Sequence, residues 1–350
     1  MELDTVINAD CIKWLSEQPE GFADLVFADP PFNIGYQYDV YEDKLAYKEY
    51  YDWTEKWMAA CVRALKPTGT FWIAIGDDYA AEIRMLGRKL GLTLRNWVIW
   101  HYTFGQNTKR KFCRSHTHLF YFVKNPKEFV FNEQAVRVFS DRQLVYRDKR
   151  ANEIGKLPND VWSEFPRVCG TFEEREGWHP CQMPETILAR IIRATSEPSS
   201  VVVDPFAGSG TTLAVAKKLS RNYVGIELSE DYVARIRHRL DGVTALSEIP
   251  GERSGPWPEG HIQELKGMYL ETCVPTDTLA KNYELFSGFV RNFNWRLEHS
   301  GVVDGYTPEE VWVQLERLRK SGKLGKVKVH AHEDAAQPVR KAPVEEQCEA

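Results

Sequence analysis

The sequence is poor in cysteine, has no long apolar run and carries no net positive charge. Its seven cysteines are spread over 350 residues without a Cys-x-x-Cys pair, which argues against a disulfide framework and a zinc ribbon and is typical of reduced intracellular thiols. No apolar run approaches the ~18 residues of a membrane span, and the acidic start at residues 1–4 lacks the apolar stretch of a signal peptide. We therefore expect a soluble cytoplasmic protein with no membrane partner and no metal site.

Charge is unevenly distributed along a chain whose formal net charge is −5. Residues 101–156 hold 12 Lys and Arg against 5 Asp and Glu, with aromatic residues between them. A solvated surface is one explanation, but basic and aromatic side chains in an otherwise acidic chain favour a nucleic-acid interface. The candidate DNA-binding residues are Lys109, Arg110, Lys111, Arg114, Arg142, Arg147, Lys149 and Arg150.

Residues 1–100 alternate short apolar runs with helical periods. Strands are expected at 6–7, 25–28, 71–75 and 92–100, and helices at 47–65 and 79–90, with Lys66-Pro67-Thr68-Gly69 as the break after the first helix. Repeated strand–helix–strand units predict a parallel sheet. Trp53 and Trp57 lie on one helix face, where core packing is a better explanation than binding.

Asp29-Pro30-Pro31-Phe32 follows the strand at 25–28. Neither proline can donate to a sheet, so the strand stops at Asp29 and the chain turns across the carboxyl end of the sheet, where open α/β sheets bind ligands. A carboxylate for N–H groups and a ring for stacking suit a planar, amino-bearing base. The motif could also be a simple turn.

A second strand, 201–203, runs into a glycine loop and a helix. The loop Asp204-Pro205-Phe206-Ala207-Gly208-Ser209-Gly210-Thr211-Thr212 brings backbone N–H groups close to a ligand at a helix N-terminus. It matches neither the Gly-x-Gly-x-x-Gly dinucleotide pattern nor a P-loop. The next strand ends at Glu227, where an acidic side chain can accept hydrogen bonds from ribose hydroxyls.

These motifs, in this order, resemble the β class of DNA amino-methyltransferases over roughly residues 5–240. The resemblance implies an α/β fold: a circularly permuted Rossmann-like S-adenosylmethionine-dependent methyltransferase sheet with an inserted target-recognition region and a small C-terminal accessory domain. It also implies a bacterial, archaeal or phage-type, nucleoid-associated enzyme acting on duplex DNA. A homodimer is compatible with it, and whether a restriction endonuclease partner exists stays open.

The resemblance implies a role for each matching residue. Asp10 and Cys11 would lie near the cofactor adenine, while His179 and Gln182 would close over its methionine end. Met183 departs from the family pattern, because many members have Lys there, so another donor would have to bind the cofactor carboxylate. The expected catalytic residues are Asp29, Pro30, Pro31 and Phe32; the expected cofactor-binding residues are Asp10, Cys11, Asp29, His179, Gln182, Asp204, Phe206, Ala207, Gly208, Ser209, Gly210, Thr211, Thr212, Glu227 and Leu228.

The expected reaction is methylation of adenine N6 in a flipped-out base. Cytosine N4 is the alternative, although N4 members more often carry Ser at the position of Asp29. Two other hypotheses are a catalytically silent DNA-binding subunit of the same fold and a nicotinamide-dependent oxidoreductase. The glycine spacing and the basic region argue against the oxidoreductase.

The expected domain plan has six segments. It comprises a catalytic half (1–100), a basic target-recognition insertion (101–178), a cofactor-binding half (179–245), a linker (246–261), an accessory domain that could bind DNA (262–330) and a disordered tail (331–350). The accessory region shows helical periods, and residues 311–328 hold six basic residues against one acidic.

Overall fold

The computed structural model describes residues 2–36, 40–41, 43–102, 108–138, 156–168, 174–245, 249, 257–279, 283–299, 306 and 308–325. These residues form two compact units, one ending near residue 255 and one beginning at 256. Four candidate DNA-binding residues (Arg142, Arg147, Lys149 and Arg150) and the predicted disordered tail lie outside the described residues.

The first unit is built on a mixed sheet whose order is β1-β8-β7-β2-β3-β5-β4-β6. The strands are β1 (Thr5–Asn8), β2 (Ala23–Ala28), β3 (Leu65–Ile75), β4 (Thr93–His101), β5 (His116–Val123), β6 (Val161–Trp162), β7 (Val201–Asp204) and β8 (Asn222–Glu227). The helices are α1 (Cys11–Glu17), α2 (Tyr47–Ala64), α3 (Ala80–Lys89), α4 (Glu185–Thr195), α5 (Thr211–Lys218) and α6 (Glu230–Asp241), with 3₁₀ turns at Asp77–Tyr79 and Glu133–Val136. The predicted α/β sheet is confirmed.

The prediction of a parallel sheet is correct for only part of it. β1, β8, β7, β2 and β3 are parallel neighbours, but β5 is antiparallel to both β3 and β4. β5 also lies within 101–178, the segment predicted to be a target-recognition insertion. It is an apolar strand buried on both faces, and it lies in the sheet between β3 and β4.

The four residues expected to form a break after α2 belong instead to β3. Ala23 of β2 pairs with Leu65, whereas Leu25 pairs with Thr70, so residues 66–69 bulge out of the β2–β3 ladder. Proline and glycine are tolerated at such a bulge because it leaves backbone groups unpaired. The proline and glycine that predicted a break therefore lie at an irregularity within one strand.

Two apolar layers cover the sheet. One contains Trp57, Phe71 and Phe120, with α2 and α3. The other contains Trp72, Leu188 and Leu213, with α4 and α5. Strands buried on both faces explain the near-continuous apolar runs in the sequence.

The second unit is helical in its described part, with α7 (Glu259–Thr272), α8 (Thr276–Leu279), α9 (Tyr283–His299) and α10 (Pro308–Lys320). Its core includes Leu265, Phe293 and Leu315. The helix α7 begins inside the expected linker 246–261. Pro258, its N-cap, has a restricted φ, and Glu259 places a negative charge near the positive end of the helix dipole. Residues 259–261 of the expected linker are therefore helical, and the domain boundaries stay a prediction.

None of the helices in the described ranges is both long enough and apolar enough to cross a membrane.

Candidate active site

A cavity of about 370 Å³ opens at the carboxyl ends of the parallel strands in the first unit. Asp29 follows β2, Asp204 ends β7, Glu227 ends β8 and Gly76 follows β3, and all four line this cavity. Parallel strands deliver their carboxyl ends to one edge, so motifs far apart in sequence meet there. The volume lies within the ordinary range for small-molecule sites.

The Asp29-Pro30-Pro31-Phe32 segment forms one wall of the cavity. The hydroxyl of Tyr50 donates a 2.6 Å hydrogen bond to the Pro31 carbonyl, whereas no donor among the described residues reaches the Pro30 carbonyl. The Phe32 ring lies against Gly76, where an added Cβ would approach ring atom Cδ2 to 3.3 Å. The wall thus offers a carboxylate, an open carbonyl and an aromatic ring.

The loop that follows this motif is fixed by a buried carboxylate. Asp43 is 2% exposed and accepts backbone N–H bonds from Asn33 at 2.6 Å, Ile34 at 3.1 Å and Tyr36 at 2.9 Å. Three donors on one carboxylate are a strong local constraint. This anchor holds Phe32 at the cavity, and no periodic pattern in the sequence predicts it.

Asp29 and Asp204 both line the cavity and are close enough for their charges to interact. Burial, followed by the neighbouring Asp204 charge, raises the pKa of Asp29 to about 7, against an opposing effect of Arg167. Burial also raises the pKa of Asp204 to about 7, although hydrogen bonds from Thr212 and the Phe206 amide favour its ionised form. Two carboxylates that are costly to ionise together favour a cationic ligand.

The glycine loop after β7 lies opposite this wall. Gly208 has a left-handed φ of +51°, and an added Cβ would lie 3.0 Å from Nε2 of His179. Phe206 packs its ring against Trp53 and Trp57, with centroids 5.7 and 5.3 Å away. Of the predicted residues in this loop, Asp204, Phe206, Ala207, Gly208, Ser209, Thr211 and Thr212 line the cavity.

Gly210 is the exception among the predicted loop residues. It is absent from the cavity lining and caps α5 with φ +74°, packed so closely on Ile236 that an added Cβ would lie 2.7 Å from Cγ2. Its left-handed backbone and this close approach both require glycine. Gly210 is therefore required for packing, and its contact with the cofactor stays a prediction.

Glu227 lines the cavity and supports the glycine loop at the same time. Its Oε2 accepts the Gly208 N–H at 2.9 Å, and its Oε1 accepts the Ser229 N–H at 3.0 Å. Each carboxylate oxygen has further acceptor capacity, so ribose hydroxyls can still bind there. The neighbouring Leu228 is 48% exposed at the cavity.

Two predicted residues on the segment before α4 have different environments. Burial lowers the pKa of His179 to about 4, so its ring is neutral at pH 7 where it meets Gly208. Gln182 donates to the Glu174 carbonyl at 2.6 Å and accepts from the Glu176 N–H at 3.0 Å. Both line the cavity, but the Gln182 amide is mainly occupied in closing its own loop.

Asp10 and Cys11 line the opposite end of the cavity, after β1. Asp10 is the N-cap of α1 and accepts the Lys13 N–H at 2.9 Å. Burial raises the pKa of the Cys11 thiol to about 12, so it is an uncharged, apolar part of the wall. Among the described side chains, no group of three or more His, Cys, Asp or Glu could hold a metal ion.

Sequence reasoning missed three contributors to the site. Core packing is the favoured explanation for Trp53 in the sequence, but Trp53 lines the cavity, and Tyr50, one turn earlier in α2, donates to the Pro31 carbonyl. A helix that connects two parallel strands runs antiparallel to them, so its first turns lie near the carboxyl ends of the strands. This rule places both residues near the site. The third, Arg167, follows β6 and also lines the cavity; no motif marked it.

The candidate DNA-binding residues that the structure describes lie just before β5. Lys109, Arg110 and Lys111 are exposed. Arg114 instead lines the cavity and forms ion pairs with Asp77 at 2.8 Å and Asp78 at 3.1 Å. Phe112, between these cations, is 99% exposed.

Comparison with known proteins assigns the fold and the motifs to a family. The family model for DNA methylases of the N6/N4 type matches residues 23–238. The chain belongs to the N6/N4 DNA methylase family. It is 36% identical over 237 residues to the Type II methyltransferase M.HpaI of Haemophilus parainfluenzae, covering 67% of this chain and 74% of that relative.

Two further proteins illustrate the range of this methylase family. The DNA adenine methyltransferase YhdJ of Escherichia coli (strain K12) is 37% identical over 250 residues, covering 69% of this chain and 83% of that relative. The structure of the PvuII DNA methyltransferase, described as cytosine-N4-specific, superimposes with a TM-score of 0.52 at 21% identity, covering 67% and 85% of the two chains. The second similarity shows the shared fold alone.

Proposed function

We propose that this DNA methyltransferase transfers a methyl group from S-adenosylmethionine to N6 of an adenine flipped out of duplex DNA. The observation that carries the proposal is the shared cavity, which is lined both by Asp29, Pro30 and Phe32 and by the glycine loop at Gly208. A wall suited to a base and a loop suited to a nucleoside thus open onto one cavity.

The lining residues fit the cofactor. The Glu227 carboxylate oxygens can accept further hydrogen bonds from ribose hydroxyls, and Gly208, which has no side chain of its own, leaves room between the loop backbone and His179. Two carboxyl groups with raised pKa values, Asp29 and Asp204, favour a cation. S-adenosylmethionine supplies a methyl group activated by a positively charged sulfur.

The wall at Asp29 acts on the acceptor nitrogen. Adenine N6 is a weak nucleophile because its lone pair is delocalised into the ring. Hydrogen bonds from its N–H groups to the Asp29 carboxylate and the Pro30 carbonyl favour a pyramidal nitrogen, while Phe32 stacks on the ring. The contribution of these residues is positioning and electrostatic preorganisation. The proton leaves after transfer, so Asp29 need not be a strong base.

Adenine is preferred to cytosine as the target on two grounds. Asp29 occupies the position at which cytosine-N4 members of the family more often carry Ser. In addition, YhdJ, named an adenine methyltransferase, is 37% identical, whereas the likeness to the cytosine-N4-specific PvuII enzyme is at the level of the fold.

DNA is proposed to approach across the exposed segment before β5. Lys109, Arg110 and Lys111 neutralise phosphates, and Phe112 presents an exposed ring that can stack on or insert between bases. A base within a duplex cannot reach the cavity, so the target must leave the stack. Arg142, Arg147, Lys149 and Arg150, which lie outside the described residues, are also proposed to bind DNA.

The test uses the purified full-length protein, methyl-labelled S-adenosylmethionine and unmethylated genomic DNA, followed by digestion to nucleosides. Label in N6-methyladenine is expected. The Asp29→Ala variant should lose transfer while retaining most of its cofactor affinity.

The other outcomes separate the alternatives. Label in N4-methylcytosine would keep the mechanism and overturn the base assignment. Binding of S-adenosylmethionine and DNA without labelling would point to a catalytically silent recognition subunit. Wild-type turnover by Asp29→Ala would remove Asp29 from the mechanism.

A further inference from the structure

The cavity has an excess of acidic groups and few cations. Asp10, Asp29, Asp204 and Glu227 all line it. Among the described lining residues, the Lys and Arg side chains are only Arg114 and Arg167. A zwitterionic ligand that carries both an ammonium and a carboxylate group therefore has several partners for its positive end and few for its negative end.

The two arginines are not equivalent. Arg114 forms ion pairs with Asp77 and Asp78 at 2.8 and 3.1 Å, so its charge is already neutralised. Arg167, within the described part of the chain, forms no salt bridge within 4 Å of a carboxylate, although it lies close enough to Asp29 to lower the pKa of that group. Its guanidinium also lies 5.6 Å from the centroid of the Tyr102 ring.

Arg167 lies near the segment before α4. Burial raises the pKa of the Cys181 thiol and the nearby Arg167 opposes this rise, and Cys181 lies between His179 and Met183 on the cavity wall. Met183 is 8% exposed and belongs to the apolar core, and His179 is neutral. This wall therefore provides no cation of its own, and Arg167 places one beside it.

We propose that Arg167 binds the α-carboxylate of the methionine moiety of the cofactor. The inference rests on the proposed function, because it takes S-adenosylmethionine as the ligand. A guanidinium matches a carboxylate through two parallel N–H bonds. Arg167 follows β6 and lines the cavity. It thus supplies the positive charge that Met183 does not.

The test compares two ligands that differ in the group Arg167 is proposed to bind. S-adenosylhomocysteine carries the amino-acid end, whereas 5′-methylthioadenosine lacks it. Calorimetric titration of Arg167→Met should show a loss of affinity for S-adenosylhomocysteine of about 10- to 100-fold. Affinity for 5′-methylthioadenosine should be unchanged, and Arg167→Lys should recover much of the loss. Arg114→Met is the matched control and should leave the affinity ratio of the two ligands at the wild-type value.

Each contrary result has a distinct meaning. Equal losses for both ligands would show that Arg167 supports the fold of the site, and unchanged affinity for S-adenosylhomocysteine would overturn the proposal. In the latter case, weaker binding of a DNA duplex would identify Arg167 as a phosphate contact instead. If the wild-type protein bound neither nucleoside, the proposed function itself would fail, and this result is independent of any variant.

Discussion

The hydroxyl of Tyr50 donates a 2.6 Å hydrogen bond to the carbonyl oxygen of Pro31. Tyr50 is 1% exposed, so this bond ties the first turn of α2 to the Asp29-Pro30-Pro31-Phe32 motif in a place that water does not reach. The motif's own prolines provide no N–H groups, and its position therefore depends on donors from elsewhere in the fold.

Tyr50→Phe is expected to slow methyl transfer more than it weakens ligand binding. The Pro31 carbonyl would lose its donor, which should lower the free energy of unfolding by about 1–2 kcal/mol. The freed motif should reduce kcat about tenfold, because small displacements of reacting groups are costly. Single-turnover assays and S-adenosylhomocysteine titration check the two effects. Tyr51→Phe is the neighbouring control, and wild-type kcat in Tyr50→Phe would contradict the interpretation.

Alanine at Gly208 and at Gly210 should produce different defects. Both glycines have positive φ, but an added Cβ at Gly208 meets His179 at 3.0 Å, on the cavity lining. Gly208→Ala should therefore weaken S-adenosylhomocysteine binding about tenfold or more, with a stability cost of about 1 kcal/mol.

The Cβ of alanine at Gly210 would lie 2.7 Å from Cγ2 of the buried Ile236. Gly210→Ala should cost about 2–4 kcal/mol of stability and change the affinity of the folded fraction little. Denaturant unfolding and calorimetry on both variants check the contrast. The reverse pattern would show that Gly210 is the ligand contact.

Replacing Asp29 should stabilise the protein at alkaline pH. Burial and Asp204 raise the pKa of Asp29 from 3.8 to about 7. Between these values the folded protein holds a proton that the unfolded chain has lost, so the free energy of unfolding falls as pH rises from about 4 to 7. Because Asn does not ionise, the stability of Asp29→Asn relative to wild type should rise by up to about 4 kcal/mol between pH 4 and pH 8.

The stability difference between wild type and Asp29→Asn should shrink towards pH 4. Urea unfolding at several pH values measures it, with Asp52→Asn, whose side chain is 47% exposed, as the control. A difference that did not vary with pH would show that ionisation of Asp29 is not its cause.

Neutralising the cations before β5 should weaken DNA binding without affecting the cofactor site. Replacing Lys109, Arg110 and Lys111 with Gln should reduce the slope of log K against log salt by about 2–3, because each phosphate contact contributes about 0.9. Filter binding over a salt series gives the slope. The control replaces Lys13, Lys56 and Arg88, which are exposed on helices. An unchanged slope would place the phosphate contacts elsewhere.

The sequence predicted the parts of the site that are encoded locally. A strand that ends in two prolines and a strand that ends in a glycine loop both carry their geometry in a few adjacent residues. The sequence therefore predicts that Asp29 and Gly208 follow strand ends, but not that they share one cavity. Their meeting in one cavity follows from the parallel order of β7 and β2.

The parts that depend on distant contacts were not predictable in this way. Asp43 anchors a loop through three backbone donors, and an isolated acidic residue gives no periodic signal. The antiparallel direction of β5 was missed because an apolar run reports burial but not strand direction. Arg167 stands out only because the neighbouring cavity residues His179 and Met183 carry no positive charge at pH 7.

The direction of β5 has a consequence for how such enzymes can diversify. β4 and β6 run parallel to β3, so β4 ends and β5 begins at the same edge as the cavity. His101 at the end of β4 and His116 at the start of β5 are paired, so both lie at the edge of the sheet that carries the cavity. A segment that joins two paired strands can change in length and sequence while the strands stay in register. Under the proposed function, contacts to DNA and the chemistry of transfer could thus evolve separately in one fold.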